Sequence, residues 1–369
     1  MPSAPDFTLG VEEEYQVADP TTTALAQSGE AIIDRLAEKD DQGDYAHEIA
    51  QSMIETQTGV CETLGEVRDE LRARRAAVIR AAADIGRVVA AAGTFPTSDW
   101  YEQAFTQAPR YQAMEELQQQ VVRELLVCGC HVHVGVADRD KAVAILDRML
   151  PWMPLLLALS SNSPFWHGID TGYASYRAMM WDRLPSAGMP QQLGSAAEYD
   201  ALAERLLATE VIVDYGQIYW DGRLSRDHDT LELRVADVCL HVDDAVLQAG
   251  LTRALARTCY EEACRELPVV TRRPELVKAA KWRAARFGMT ASLLDPFEDR
   301  LVDAPALLRR LIDYVGDALA VFGDAEDVLA MAERVLRRGT GAEEQRRAFA
   351  RRELVTDVAE FVVAETAAG

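Results

Sequence analysis

The chain has 369 residues; 49% of them are hydrophobic, 27% are charged, and the formal net charge is −22. These proportions are typical of a globular enzyme with a large core. The acidic balance argues against a nucleic-acid or anionic-membrane partner, because both require basic surface. The six cysteines are scattered, and no secretory signal or spanning stretch is recognisable, so we expect a cytoplasmic protein.

The N-terminal part of the sequence predicts two strands followed by a long helix. Strand-like runs occupy residues 7–17 and 53–58. Thr63 and Glu66 have the spacing of a capping box, which marks the start of a helix. Apolar residues then recur with a period near 3.6 as far as Val89, and the helix is predicted to end before Gly93.

The middle of the sequence predicts another strand, a helix and a long loop. The strand covers 126–136, and a helix follows from Asp138. Pro151 and Pro154 should kink or end that helix, because proline removes a backbone donor and clashes with the preceding turn. Residues 160–190 are rich in glycine, serine, proline and aromatic residues. Loops of this length inside compact domains are usually functional, so this segment is our candidate cover for a site.

The C-terminal part predicts a hairpin and then helices. Ser195 with Glu198 forms a second capping box. Strand patterns at 217–221 and 230–236, joined by a polar turn, predict an antiparallel hairpin. From residue 241 to the end the pattern is almost entirely helical.

These elements predict an α+β fold built on an antiparallel sheet, because the strands come singly and in hairpins instead of alternating regularly with helices. No internal repeat or flexible linker interrupts the sequence. We therefore expect one catalytic domain over residues 1–369. Its sheet-containing core should cover about 7–290, and its helical C-terminal part about 291–369.

Polar side chains alternate along two of the predicted strands. Glu12 and Glu14 are two residues apart in one strand, and His131 and His133 are two apart in another. Residues at this spacing project from the same face of a strand. A half-buried strand normally places apolar residues on its covered face, so this pattern predicts a polar cavity lined by the sheet.

Further carboxylates extend this pattern to other strands. Glu55 lies among apolar residues and threonines, and Glu232 shares a strand face with Arg234. Carboxylate oxygens are the ligands that Mg²⁺ prefers. Any one of these glutamates alone would be read as part of a solvated strand face, but four on three strands favour a metal site.

The histidine pair allows a different interpretation. His-x-His on a strand suits zinc, but zinc usually takes three or four protein ligands, and the other histidines show no matching spacing. We therefore favour contact with phosphate or substrate, or a single hard-metal ligand, over a zinc cluster. No P-loop and no Gly-x-Gly-x-x-Gly turn is present, so a nucleotide would be held through metal instead.

Three arginines outside these strands are candidate anion contacts. Arg177 closes a run of hydroxyl and aromatic residues, and the planar guanidinium suits carboxylate or phosphate. Arg283 and Arg286 are three residues apart and share a face of a predicted helix. The alternative for this last pair is an ordinary salt-bridged helix surface.

A series of short motifs occurs in order between residue 8 and about residue 289. They are Gly10-Val11-Glu12-Glu13-Glu14-Tyr15, Glu48…Gln51-Ser52…Glu55…Thr58-Gly59-Val60, Ala92-Gly93-Thr94, His131-Val132-His133-Val134-Gly135, Ser163-Pro164-Phe165-Trp166…Asp170-Thr171-Gly172, Arg183-Leu184-Pro185…Gly188, Glu232-Leu233-Arg234-Val235 and Trp282-Arg283-Ala284-Ala285-Arg286. Together they resemble the YbdK-type carboxylate–amine ligases, the glutamate–cysteine ligase type 2 group. One departure is Glu13, where an apolar residue is more usual.

This resemblance implies a glutamine-synthetase-like fold whose antiparallel sheet forms a concave funnel. It also implies ATP with Mg²⁺, or with Mn²⁺ in its place, and amide formation through an acyl phosphate. The implied metal ligands are Glu12, Glu14, Glu48, Glu55 and Glu232. The implied catalytic contacts are His131, Arg177 and Arg234, and the residues we assign to the nucleotide are His133, Arg283 and Arg286.

The default substrates implied by the resemblance are glutamate and cysteine. Four alternatives stay open: another acid and amine on the same scaffold, a phosphotransferase, a zinc hydrolase using His131 and His133, and a small-molecule binding module without catalysis. In each case the partners are small molecules, and the fold also allows a homo-oligomer.

Overall fold

The computed structural model describes residues 5–38 and 43–369 of the chain. Its strands are β1 (Leu9–Ala18), β2 (Asp44–His47), β3 (Met53–Gln57), β4 (Val88–Ala90), β5 (Gly129–Gly135), β6 (Phe165–Trp166), β7 (Ile169–Asp170), β8 (Gly222–Leu224), β9 (Thr230–Asp237), β10 (Ser292–Leu294) and β11 (Leu301–Asp303). Its helices are α1 (Gly29–Glu38), α2 (Leu64–Asp84), α3 (Pro109–Gln118), α4 (Gln120–Arg123), α5 (Arg139–Met149), α6 (Met153–Ser160), α7 (Tyr176–Trp181), α8 (Ala196–Ala208), α9 (Val242–Cys264), α10 (Pro274–Phe287), α11 (Ala304–Tyr314), α12 (Gly316–Phe322), α13 (Ala325–Arg338), α14 (Gly341–Phe349) and α15 (Val355–Ala368).

One sheet of seven strands organises the chain. Its order is β2-β3-β1-β5-β9-β8, and β4 pairs with the end of β1. Every pairing in the sheet is antiparallel. Two short hairpins, β6–β7 and β10–β11, stand apart from it. The prediction of an α+β fold with an antiparallel sheet and flanking helices is therefore confirmed.

The capping box at Thr63 forms as the sequence predicts. The Thr63 side chain accepts a hydrogen bond from the Glu66 backbone, and the Glu66 side chain accepts one in return from the Thr63 backbone. The predicted end of this helix is wrong, because α2 ends at Asp84 and the chain turns at Gly86, whose φ is +72°. The last apolar residues of the stripe, including Val89, belong to β4.

The proline-containing stretch is nearly continuous helix. Pro151 and Pro154 each occupy the first turn of a new helical segment, where a missing N–H costs little. The helical run 139–160 is long and apolar enough to cross a membrane by length and composition, but 83% of its most apolar window is buried inside the protein. Core helices pass the same test.

The expected structureless loop at 160–190 has structure of its own. It contains the β6–β7 hairpin and the short helix α7, and Ser160, Ser161 and Ser163 are buried. The predicted hairpin is correct in its second strand only. Residues 215–217 form a 3₁₀ turn, and the strand that pairs with β9 is β8, further along the chain than the predicted 217–221.

The two faces of the sheet differ in polarity. On one face Val11, Val132 and Val134 join the main apolar core with helices α5, α6 and α9. Glu13 also lies on this face, fully buried, and Arg75 of α2 contacts it through two nitrogens at 2.5 and 2.9 Å. The acidic residue that departs from the family motif, Glu13, is therefore paired with the buried guanidinium group of Arg75. The opposite face carries the polar residues described next.

Candidate active site

The strand register brings the predicted carboxylates and histidines together on one face. Glu12 pairs with His131 across β1 and β5, and Glu14 pairs with Glu55 across β1 and β3. His133 pairs with Glu232 across β5 and β9. Paired residues in antiparallel strands lie side by side on the same face. The alternation predicted from sequence thus becomes a continuous polar patch across four strands.

Three groups in this patch have ligand atoms close enough to share a cation. The first is Glu12, Glu55 and His131; the second is Glu12, His133 and Glu232; the third is Glu14, Glu48 and Glu55. Within each group the ligand atoms lie within 4.8 Å of one another. Glu48 joins the third group from the end of β2.

The carboxyl groups of the third group oppose one another electrostatically. Burial, reinforced by the charge of Glu14, raises the pKa of Glu48 to about 8. Burial, together with the charges of Glu12 and Glu48, raises the pKa of Glu55 well above its usual value. A divalent cation between these oxygens would remove both penalties, so the donor set fits hard cations such as Mg²⁺.

Glu12 is stabilised in its charged form by the two histidines. Its Oε2 lies 2.8 Å from His131 Nδ1, and its Oε1 lies 3.2 Å from His133 Nε2. Burial opposes ionisation of Glu12, but these contacts outweigh it and hold the pKa well below the usual value.

The two imidazoles respond differently to their surroundings. Burial and the charge of Arg234 lower the pKa of His131. Burial also disfavours the charged form of His133, but the hydrogen bond with Glu12 outweighs it and raises that pKa. His131 is thus suited to act as a neutral ligand or contact.

Two arginines neutralise Glu232. Arg223 donates through Nε and Nη2 to the two carboxylate oxygens, at 2.7 and 3.1 Å, and Arg234 contacts the same carboxylate. Burial opposes ionisation of Glu232, but the two guanidinium groups outweigh it and lower the pKa. The sequence analysis did not single out Arg223, because the predicted hairpin strand ended before it. With the observed register Arg223 lies directly opposite Glu232.

Arg177 lies at the deep end of the patch. It is 2% exposed, and its two Nη atoms donate to the Arg234 and Val235 carbonyls at 3.2 and 3.4 Å. A Cβ at Gly129 would collide with Arg177 and would lie 3.0 Å from His131 Nε2. The missing side chain at Gly129 therefore allows this arginine to approach the histidine.

The structure does not bring Arg283 and Arg286 to this patch. Arg283 donates to the Ser292 carbonyl and lies against the Phe287 ring. Arg286 donates to the Gly172 carbonyl and lies over the Tyr173 ring. Both arginines hold α10 against neighbouring segments. The assignment of these two residues to the nucleotide is therefore not supported by their positions, whereas His133 lies in the patch.

A cavity of about 400 Å³ opens over the polar patch. Its floor includes the five glutamates, His133 and Arg234. Its outer wall includes side chains that the sequence analysis did not identify: Arg110, Tyr111, Met114, Trp181 and Tyr219. These residues come from helices and turns without strand alternation, and their sequence carried no signal that would place them at the site.

A second cavity of about 680 Å³ adjoins the first. The two share Glu12, Gln57 and His133, as well as the turn 225–228. Both cavities therefore border the polar patch.

Comparison with known proteins identifies the family. The family model described as glutamate-cysteine ligase family 2 (GCS2) matches residues 8–365. A protein of Frankia alni named "Putative glutamate--cysteine ligase 2-2" is 42% identical over 373 residues, covering 97% of each chain. A protein of Rhodopirellula baltica named "Putative glutamate--cysteine ligase 2" is 39% identical over 363 residues, covering 97% of this chain and 96% of its own.

Solved structures share the fold at low sequence identity. A glutamate–cysteine ligase from Francisella tularensis in complex with AMP superposes with a TM-score of 0.71 at 14% identity, covering 100% of this chain and 90% of that one. A bifunctional glutathione synthetase from Pasteurella multocida superposes with a TM-score of 0.65 at 14% identity, covering 98% of this chain and 52% of that one.

The fold and the family together define the class of the protein. It has the glutamine-synthetase-like fold, and it is an ATP-dependent ligase. More particularly, the chain belongs to glutamate–cysteine ligase family 2. The resemblance that the sequence motifs indicated is thereby confirmed.

Proposed function

We propose that the protein joins a carboxylic acid to an amine in an ATP-dependent reaction that passes through an acyl phosphate, with glutamate and cysteine as the default substrates. The observation that carries the proposal is the convergence of five glutamates and two histidines, from four neighbouring strands and the end of a fifth, on one face of the sheet, where the glutamates and His133 line one cavity. Burial and neighbouring carboxylates raise the pKa values of Glu48 and Glu55, and bound cations would relieve that cost, which is the arrangement that phosphoryl transfer to a carboxylate needs.

The chemical reasoning starts from the acid. A carboxylate is a poor electrophile, because its leaving group would be oxide. Transfer of the γ-phosphoryl group to its oxygen provides a good leaving group, and cations bound at the glutamates would neutralise the charge that develops. The groups fit Mg²⁺, with Mn²⁺ as an alternative, because hard oxygen ligands predominate in all three candidate positions.

The protein's own residues would bind and orient the reactants. Arg234 lies beside both Glu232 and His131, so it is positioned to contact an oxygen of the transferring phosphoryl group. Arg177 donates a hydrogen bond to the Arg234 carbonyl, and its guanidinium group and the His131 ring both lie close to Gly129. The two adjoining cavities would admit nucleotide from one side and acid and amine from the other. The ring centroid of Trp181 lies 5.7 Å from the guanidinium carbon of Arg177 and 5.7 Å from that of Arg234. The indole ring would help to exclude water from the intermediate.

The zinc-hydrolase alternative receives less support from the geometry. His131 and His133 fall in different candidate ligand groups, and each group contains at least two glutamates and at most one imidazole. Zinc sites usually combine several nitrogen or sulfur ligands. The phosphotransferase alternative shares the same first step and differs only in whether an amine captures the intermediate.

An ADP-release screen tests the proposal. Acids are offered singly and with each of a panel of amines, in the presence of ATP and Mg²⁺, and products are identified by mass spectrometry. We expect ADP release that requires an acid and an amide product that requires both substrates. A phosphorylated product without an amide would support the phosphotransferase, and turnover that persists without nucleotide but requires zinc would support the hydrolase.

A further inference from the structure

A third cavity, of about 820 Å³, lies away from the polar patch. Among the residues that the structure describes, it shares no lining residue with either cavity that borders the patch. Its walls include the stretch 270–281, which contains the first two turns of α10, the segment 187–192 and the junction of α5 with α6. A cavity of this volume can hold a small-molecule ligand, and the proposed reaction does not use it.

The α10 side of this third cavity is joined to the opposite side at two places. At one of them, Lys281 Nζ lies 2.5 Å from Asp182 Oδ1. At the other, the Gln192 side chain donates to the Val270 carbonyl and accepts from the Thr271 hydroxyl, in both cases at 3.0 Å. The cavity is therefore preformed, with its two sides fixed relative to each other.

The lining of the third cavity carries positive and negative charges on different walls. Among the described residues that line it, the cations all belong to the stretch 272–281. Asp147 comes from α5, and Asp182 directly follows α7. A further carboxylate, Asp295, is already bound by Arg310. Mixed charge of this kind matches a zwitterion better than a simple anion or cation.

Two of these charged groups have no counter-ion in the protein. Asp147 is 5% exposed and accepts from the backbone nitrogens of Leu193 and Gly194 at 2.8 and 2.9 Å. Within the ranges 5–38 and 43–369, no cationic group lies within 4.0 Å of its carboxylate, and burial raises its pKa. Lys278 is exposed and forms no ion pair with any residue of the same ranges. A ligand with an amine and a carboxylate would complete both groups.

The surface between these charges is apolar. It includes Leu150, Pro154, Val277 and Leu294. From Pro274 to Lys281 the helix α10 rises by about 10 Å, at about 1.5 Å per residue. An extended peptide of two or three residues has a similar length, since each residue spans about 3.5 Å.

The third cavity and the active site are separated by single residues. Trp181 lines the active-site cavity, and the next residue, Asp182, lines the third cavity. Lys281 also contacts Asp221, whose carbonyl accepts a hydrogen bond from the Arg234 backbone at 2.8 Å. A ligand that alters the contact between Asp182 and Lys281 would therefore act on the segments that hold Trp181 and Arg234.

We propose that the third cavity is a regulatory binding site for an apolar peptide of two or three residues with free termini. The amine of the peptide lies at Asp147 and Asp182, and its carboxylate lies at Lys278, near the positive end of the α10 dipole. The effect on the active site passes through Asp182 and Lys281. The regulatory part of the inference rests on the proposed ligase function, whereas binding of the peptide does not.

Titration calorimetry on the chain of residues 1–369 tests the site directly. The probes are the tripeptide alanyl-leucyl-alanine, its N-acetylated form and its C-terminal amide. The variants are Asp147→Asn, Lys278→Ala and Val277→Trp; the last fills the cavity and leaves its charges in place. The matched control is Arg337→Ala, because Arg337 is an exposed helical cation that does not line the cavity.

We expect the unmodified tripeptide to bind at one site per chain. Acetylation and amidation should each weaken binding by about fivefold or more, since each removes one charged contact. Lys278→Ala should weaken the tripeptide but not its amide, and Asp147→Asn should weaken the tripeptide but not its acetylated form. Val277→Trp should abolish binding, and Arg337→Ala should bind as the wild type does.

ADP release tests the regulatory part. With acid, amine, ATP and Mg²⁺ all saturating, the tripeptide should change the kcat of the wild type and of Arg337→Ala by at least about twofold. It should not change the kcat of Val277→Trp, whose turnover without peptide should equal that of the wild type. Glu55→Gln, in the active site, should bind the tripeptide with wild-type affinity.

Other outcomes overturn the inference in distinct ways. Absence of binding, or binding that Val277→Trp and both charge variants leave intact, shows that the cavity is not the site. Binding that is lost in Glu55→Gln, or an effect on ADP release that excess acid removes, places the peptide in the active site instead. Binding without any change in kcat refutes the regulatory role. If no acid supports ADP release, the proposed function fails, while the calorimetry still decides whether the cavity binds the peptide.

Discussion

The replacement Glu55→Gln separates the metal role of this patch from its contribution to the fold. Glu55 belongs to two of the three candidate ligand groups, with Glu12 and His131 in one and with Glu14 and Glu48 in the other. Glutamine preserves the shape of the side chain and removes its charge. We therefore expect turnover to fall while the folded protein becomes more stable in the absence of divalent cations.

The magnitudes follow from the geometry. Two unit charges 4.8 Å apart, the limit within each group, repel by about 3 kcal/mol at an effective dielectric constant of about 20. Proton uptake relieves part of this repulsion, so a gain in unfolding free energy of about 1–2 kcal/mol is expected without metal. In the transition state the same charge is required, and losing one such contact typically costs about 3 kcal/mol, or roughly a hundredfold in rate.

Two assays measure these effects. Thermal unfolding with and without Mg²⁺ should show a cation-induced rise in the Tm of the wild type; at a concentration of about 100 times Kd the stabilisation is about 2.7 kcal/mol. Without metal, Glu55→Gln should have a higher Tm than the wild type, and Mg²⁺ should raise the Tm of this variant much less. ADP release at saturating Mg²⁺ should be about a hundredfold slower. Glu70→Gln, which removes a carboxylate paired with Arg74 on α2, is the control. Normal turnover and an unchanged Mg²⁺ effect in Glu55→Gln would refute the reasoning.

Three further variants test other parts of the account. Glu232→Gln should slow ADP release about a hundredfold at saturating Mg²⁺, since Arg223 and Arg234 would face only a neutral amide; unchanged kcat would remove Glu232 from the site. Arg75→Ala should lower the unfolding free energy in urea by about 3–5 kcal/mol, because it leaves Glu13 buried without a cation, and a loss below 1 kcal/mol would contradict that pairing. Arg177→Ala should slow activation of the acid by at least about tenfold, and equal rates would show that its approach to His131 is not used.

The sequence was most informative where alternation along strands determines the result. Glu12, Glu14, His131 and His133 share a face because the period of a strand is two, and their registers then follow from antiparallel pairing. The capping box at Thr63 is equally local, because it depends on residues three apart.

Features that depend on tertiary contacts could not be predicted in this way. The apolar stripe of α2 continues into β4, and only the turn at Gly86 separates the two elements. Arg283 and Arg286 were proposed as anion contacts because they share a helix face, but they donate to backbone carbonyls, that of Ser292 just beyond the helix and that of Gly172 in a distant segment. Arg110 and Tyr219 reach the cavity from a helix and a turn, and no periodic pattern marks residues of that kind. The polar face of the sheet can therefore be predicted from sequence, whereas the residues of the opposite cavity wall are identified only from the folded structure.

The most direct test of the central claim is capture of the activated acid. The enzyme is incubated with ATP, Mg²⁺, glutamate and hydroxylamine, which is small enough to reach a site built for an amine. An acyl-phosphate route predicts glutamyl hydroxamate with one ADP and one phosphate per product, and no AMP or pyrophosphate. Formation of AMP and pyrophosphate, or failure to form a hydroxamate with any acid that supports ADP release, would contradict the proposed mechanism.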